Sequence, residues 1–216
     1  MGNESRIGGG HVQYLVTMTT HVPDGVPEAT VDDVRGREAA RARELAARGH
    51  LLRLWRPPLR PGEWRTLGLF AADDEDRLGE VLASMPLRIW RDDQVTPLSP
   101  HPNDPPSPTP LRRGATEFLT TFTETIPDGA DPGTVDDARA AEARKTRELA
   151  DQGYLVRLWR LPGHGQALGL WQADDAGQLQ GILAALPLGP WLNVETVPLA
   201  EHPNDPALTG KPPAAP

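Results

Sequence analysis

PDGVPEATVDDVRGREAARARELAARGHLLRLWRPP, residues 23–58, returns as PDGADPGTVDDARAAEARKTRELADQGYLVRLWRLP, residues 127–162. The offset is 104 positions. It becomes 101 where LGLFAADD, from Leu67, matches LGLWQADD, from Leu168. The three missing residues fall between the LWR and LGL elements, so that joint is a loop. Both copies close alike, with PLSPHPNDP ending at Pro105 and PLAEHPNDP ending at Pro206. Roughly half of the aligned positions are identical. A period this long exceeds any solenoid unit and matches a small domain, so the chain reads as a duplicated domain.

Working outward, the boundaries follow. Residues 11–105 form the first domain, 106–113 a Pro-rich linker and 114–206 the second domain. The ends, 1–10 and 207–216, read as disordered. The linker proline predicts a stiff, extended connector. The chain has 216 residues, 22 Lys plus Arg and 30 Asp plus Glu, for a net charge of −8. That balance excludes nucleic acid as the main partner, because phosphate binding needs a basic face. Cysteine is absent, which removes disulfides, thiolate metal sites and thiol nucleophiles. No apolar run approaches the ~20 residues that span a bilayer. MGNESRIGGG lacks the basic-then-apolar pattern of a secretory signal. The expectation is a cytoplasmic protein with no membrane partner.

One copy reads as βαββαβ. VQYLVTMTT from Val12 alternates as a strand. Thr30 is expected to cap a helix that runs to about Arg48, with Gly49 after it. LLRLWR, 51–56, and WRTLGLFAA are the next strands. Asp73 or Asp74 caps a second helix to about Met85, and a last strand covers about 90–98. This order predicts an α+β, ferredoxin-like sandwich with helices on one sheet face. The other face needs a cover, which a second copy supplies. The two domains are therefore expected to pair as an intrachain pseudo-dimer of the dimeric α/β-barrel type.

The first helix carries an oddity. Its apolar stripe runs Val31, Val34, position 38, 41 or 42, then Leu45, and position 38 is Glu. The second copy repeats this with Glu142 between Ala138 and Leu149. A carboxylate driven into a dry place has a raised pKa and makes a general base near neutral pH. The alternative is a rim Glu paired with Arg35 or Arg41. On the second strand, alternation sets Arg53 and Trp55 opposite Leu52 and Leu54, with Arg157 and Trp159 as their mates. If the leucines pack under the helices, Arg53 and Trp55 face a cavity between the domains. If the leucines face the cavity, Arg56 and Arg160 do so too. A guanidinium suits a carboxylate or enolate oxygen. The alternative is an Arg that stacks on Trp or pairs with the other domain's acids. Tyr14 on the first strand is a further substrate-binding candidate. His101 and His202, in HPNDP, are held in extended backbone by the following Pro and can carry protons. N-D-P is also a surface turn signal.

YLVTM, a helix with an inward Glu, RGHLLRLWR, MPL and PLSPHP, in that order, resemble the muconolactone isomerase family over nearly all of each copy. The resemblance implies a cofactor-independent isomerase that moves a proton, and with it a double bond, in a small unsaturated lactone. It implies Glu38 and Glu142 as bases, assisted by His101 and His202. It also implies an acidic or carbonyl substrate held by the arginines, and a homo-oligomer of the two-domain chain. The family's His two residues before the Trp is replaced here by Arg53 and Arg157. A related cyclase or dehydratase, or a non-catalytic binding module, are the other readings. Neither a metal nor an organic cofactor is required by any motif in the chain.

Overall fold

A computed structural model describes residues 11–107 and 109–208. The expectations for 1–10 and for 209–216 lie outside those residues. Ala207 and Leu208 of the expected tail complete a 3-10 turn, Pro206–Leu208.

The first repeat contains β1 (Val12–Thr20), α1 (Glu28–Ala47), β2 (Leu51–Arg56), β3 (Arg65–Ala72), α2 (Glu75–Ala83) and β4 (Arg91–Pro100). The second contains β5 (Thr116–Glu124), α3 (Pro132–Asp151), β6 (Leu155–Arg160), β7 (Gln166–Ala173), α4 (Ala176–Ala184) and β8 (Leu192–Glu201). The fold is α+β, and each repeat is βαββαβ. Within the first, β3 pairs antiparallel with both β1 and β2. Within the second, β7 pairs with β5 and β6, and β8 with β5. Among the described residues no helix is long and apolar enough to cross a membrane.

The compact units do not coincide with the repeats. One comprises residues up to Pro97 together with the segment from Glu201; the other is Leu98–Ala200. Each unit therefore holds one repeat's two helices and the HPNDP segment of the other repeat. Ser99 and Pro100 pair with Arg160 and Trp159 inside the second unit. The Pro-rich stretch expected as a connector is fastened to that same unit. Thr109 Oγ1 donates to the Leu155 carbonyl at 2.9 Å, and Gln172 Nε2 to the Pro110 carbonyl at 2.8 Å.

In the first unit Tyr14, Val16 and Met18 point from β1 onto Ala42 and Leu45 of α1 and Leu78, Val81 and Leu82 of α2. Burying a leucine such as Leu45 stabilises the fold by about 1.5–3 kcal/mol. The LGL motif has a packing reason. A Cβ at Gly68 would collide with the Phe70 ring, and one at Gly169 with the Trp171 indole. Only glycine lets these rings cross the strand.

α1 starts earlier than the expected Thr30 cap. Pro27 precedes it without a side-chain cap, and its carbonyl accepts from the Thr30 amide. In α3 the Asp131 carboxylate caps the Thr134 amide at 2.8 Å, with Pro132 at the first helical position. Proline there is pre-set for the helix, which moves the start outward. Asp74 caps α2 through the Arg77 amide, one of the two positions expected.

Candidate functional site

Two cavities lie between sheet and helices, one inside each unit. The first has a volume of about 770 Å³, and Glu38, Arg56, Trp64, Arg91 and His202 are among its lining residues. The second measures about 490 Å³ and is lined by residues that include Phe122, Glu142, Arg160, Trp171 and His101. Both fall in the range of small-molecule sites.

The carboxylates reach these cavities from the buried stripes of α1 and α3. Glu38 follows Val34 and precedes Ala42 at four-residue spacing, and Glu142 precedes Thr146 and Leu149. Glu142 is 8% exposed. Each carboxylate meets the leucine amide of a Pro-Leu pair. The Leu87 N–H donates to Glu38 Oε2 at 2.8 Å, and the Leu188 N–H to Glu142 Oε2 at 3.0 Å. Burial holds both above the usual carboxylate range, against the pull of those amides. Glu142 is raised further by the charge of Glu124. Glu38 is pulled down by Arg91, whose Nη1 donates to Oε1 at 3.0 Å.

The histidines arrive from the exchanged segments, so His202 shares a cavity with Glu38 and His101 with Glu142. The Asn204 amide donates to His202 Nδ1 at 3.2 Å, and the Asn103 amide to His101 Nδ1 at 3.1 Å. A backbone amide only donates, so Nδ1 is unprotonated and the neutral ring carries its proton on Nε2. Burial and the Arg56 charge, opposed by Asp205, lower His202 to about 4. Burial and Arg160, opposed by Asp104, lower His101. Both rings are therefore neutral hydrogen-bond donors at neutral pH rather than cations.

Arg56 and Arg160 close the sets. Each ends its strand, lines its cavity and has no carboxylate within ion-pair distance among the described residues. A β-bulge between Leu51 and Arg53, matched between Leu155 and Arg157, explains why. Strict alternation would separate Leu51 from Leu54, but the extra residue brings both into the helix-facing core. Leu54 and Arg56 then face the cavity.

Arg53, Trp55, Arg157, Trp159 and Tyr14 are not among the residues that line either cavity. The Arg53 fork is clamped on the Asp205 carboxylate, with Nε at 3.1 Å and Nη2 at 3.0 Å, while Asp205 also accepts the Leu54 amide. Arg53 lies over the Trp55 ring at 4.7 Å. Arg157 repeats this with Asp104 and Trp159. Tyr14 is packed in the helix-facing core. The two cavities are thus lined by Arg56 and Arg160, the alternative set on these strands, rather than by Arg53, Trp55 and their repeat mates. Among the described residues no group of three His, Asp or Glu could hold a metal ion.

Sequence reasoning missed Arg91, which is buried against Glu38, and its partner Asp93. It also missed the Leu87 and Leu188 amides. The signal for the amides was the repeated Pro-Leu after the second helix of each copy.

What these features define is a duplicated ferredoxin-like protein whose buried acids share a cavity with a neutral imidazole and a guanidinium. The family model described as muconolactone delta-isomerase matches residues 12–104 and again 116–205, and the chain belongs to that family. The muconolactone delta-isomerase of Cupriavidus pinatubonensis is 34% identical over 90 residues, 42% of this chain and 95% of the relative. That of Rhodococcus opacus is 34% identical over 80 residues, 37% of this chain and 86% of the relative. A solved heme-binding protein from Thermus thermophilus is similar over 93% of this chain and 96% of its own, with a TM-score of 0.59 and 14% identity. A likeness at that identity is one of fold alone.

Proposed function

We infer that this protein is an isomerase that moves a proton, and with it a carbon–carbon double bond, within a small unsaturated lactone bearing a carboxylate. The observation that carries the reading is the convergence, in one cavity, of a carboxylate raised by burial, an Nε2–H donor and an unpaired guanidinium. The family relationship supports the same chemistry.

In the cavity the guanidinium of Arg160 or Arg56 holds the substrate carboxylate. The carboxylate of Glu142 or Glu38 accepts a ring proton activated by the conjugated carbonyl. The C–H electron pair enters the ring, giving a dienolate. Its oxygen accepts a hydrogen bond from His101 or His202 Nε2–H. The carboxylic acid then returns the same proton to another carbon of the conjugated system. The double bond is displaced and the carboxylate regenerated, with no net change of atoms or charge. A neutral imidazole suits this role because it donates without giving up its proton. A positioned base contributes about 10²–10⁴-fold and an oxyanion donor about 10²–10³-fold.

The test is turnover of carboxylate-bearing butenolides, followed by proton NMR in heavy water. Double-bond migration by the wild type, lost by at least ~10²-fold in the Glu38→Gln/Glu142→Gln double variant, is the expected result. Undiminished migration in the double variant would rule out carboxylate catalysis.

A further inference from the structure

Resting on that reading, we propose that the two cavities are not equivalent, with Glu142 the carboxylate that transfers the proton and Glu38 held out of proton transfer by Arg91, which Asp93 anchors.

The two closing strands differ where they meet the acids. The first has Arg91 and Asp93; the second has Leu192 and Val194 at the equivalent positions. In the first unit both oxygens of Glu38 are engaged, Oε2 by the Leu87 amide and Oε1 by Arg91. Arg91 is itself buried, lies 2.6 Å from Asp93 Oδ1 through Nε, and donates to Asp93 Oδ2 through Nη2 at 3.1 Å. A proton arriving on Glu38 would leave Arg91 with half its compensation in a dry site, which penalises the acid form that the reaction must pass through. In the second unit only Oε2 of Glu142 is engaged, and among the described residues no cation stands within ion-pair distance of it. The nearby charge of Glu124, itself bound by Arg139 at 3.2 Å, favours the proton's arrival.

The Asp93 charge by itself raises Glu38, but by less than the Arg91 charge lowers it, and the other charged groups around the two acids do not reverse this. Arg35, Arg56, Glu63, Arg65 and His202 line the cavity of Glu38. Glu124, Arg139, Arg160 and His101 line that of Glu142. The first set is the more cationic, which again disfavours a protonated Glu38. A second feature separates the cavities. Trp171 lines the second one, where the first unit has Phe70, and its buried indole N–H finds no acceptor among the described residues. The second unit thus has an unpartnered indole donor at a position where the first has an apolar ring. Arg91 is a positioning residue for Glu38, and the pair 91 and 93 decides which unit turns over.

The experiment combines kinetics with infrared titration of the carboxyl groups in the whole chain. Glu142→Gln is expected to lower kcat by at least ~10²-fold. Adding Arg91→Leu/Asp93→Val to that variant is expected to raise turnover at least tenfold by releasing Glu38. Leu192→Arg/Val194→Asp, made in the wild type, is expected to cost at least tenfold in kcat. This second swap serves if the first does not fold. Independently of any turnover, the carboxyl band removed by Glu142→Gln should titrate at higher pH than the band removed by Glu38→Gln. A Glu142→Gln variant that keeps half or more of kcat would overturn the proposal, as would a Glu38 band that titrates at or above that of Glu142. A wild type inert toward every lactone tried would overturn the isomerase reading instead, leaving the two bands to decide the inference.

Discussion

The two units share a motif set yet have diverged at its edges. In the first, the loop from β2 to β3 is three residues longer and places Trp64 in the cavity wall, with Arg35 over its ring at 4.4 Å. In the second, the hairpin closes tightly, with the Leu161 amide on the Gln166 carbonyl and Gly163 and Gly165 at positive φ. The cavity volumes follow, about 770 Å³ against about 490 Å³. The clamps differ in depth as well. Asp205 and Arg53 side chains are 2% and 12% exposed, whereas Asp104 and Arg157 are 20% and 31% exposed. Duplication kept the Glu, the His and the clamp, and local changes in loop length and closing strand retuned what surrounds them.

That comparison can be broken by stability measurements. Asp205→Ala leaves Arg53 and the Leu54 amide without their carboxylate in a dry place, and should cost about 3–5 kcal/mol in chemical denaturation. Asp104→Ala removes a wetter pair and should cost about 1–2 kcal/mol. Equal costs would mean that the two clamps do the same work. Smaller, and kinetic, is the effect of the free arginines. Losing one charge-assisted contact is worth about 1.5–3 kcal/mol, so Arg160→Ala should raise KM about 10–100-fold while kcat moves less. A variant that lost kcat with KM unchanged would place Arg160 in the chemical step rather than in binding.

The smallest effect is on pH dependence. His202 has a folded pKa of about 4, below its value of 6.5 in the unfolded chain. A depressed folded pKa means that the unfolded state takes up the proton first. The contribution to stability is whole above pH 6.5 and declines as pH falls toward 4. His202→Asn should flatten that decline in thermal unfolding. The raised carboxylates act in the opposite sense, since their contribution is lost as pH rises through the folded pKa. The same raised pKa should appear as a rising limb in kcat/KM against pH, with a plateau above it.

Much of this was readable in the chain. VQYLVTMTT and LLRLWR fixed β1 and β2 to the residue because alternation and turn signals agreed, and Glu38 stood out because it interrupts an apolar stripe. Alternation left open whether Arg53 and Trp55 or Arg56 would face a cavity, because a bulge changes which side chains share a face and leaves no mark in the alternation. The repeat, likewise, could not show that HPNDP joins the unit built from the other copy, because its own sequence is the same in both. Arg91 and Asp93 carry no repeat signal, because Leu192 and Val194 stand at their places in the second copy. Divergence between copies was the more informative signal for chemistry.

The most direct measurement is a crystal structure with a saturated lactone acid that cannot isomerise. The account predicts the ligand in the second cavity, its carboxylate on Arg160, its carbonyl oxygen on His101 Nε2 and a ring carbon against Glu142 Oε1. A ligand bound away from Glu142, with that carboxylate turned from the cavity, would contradict it.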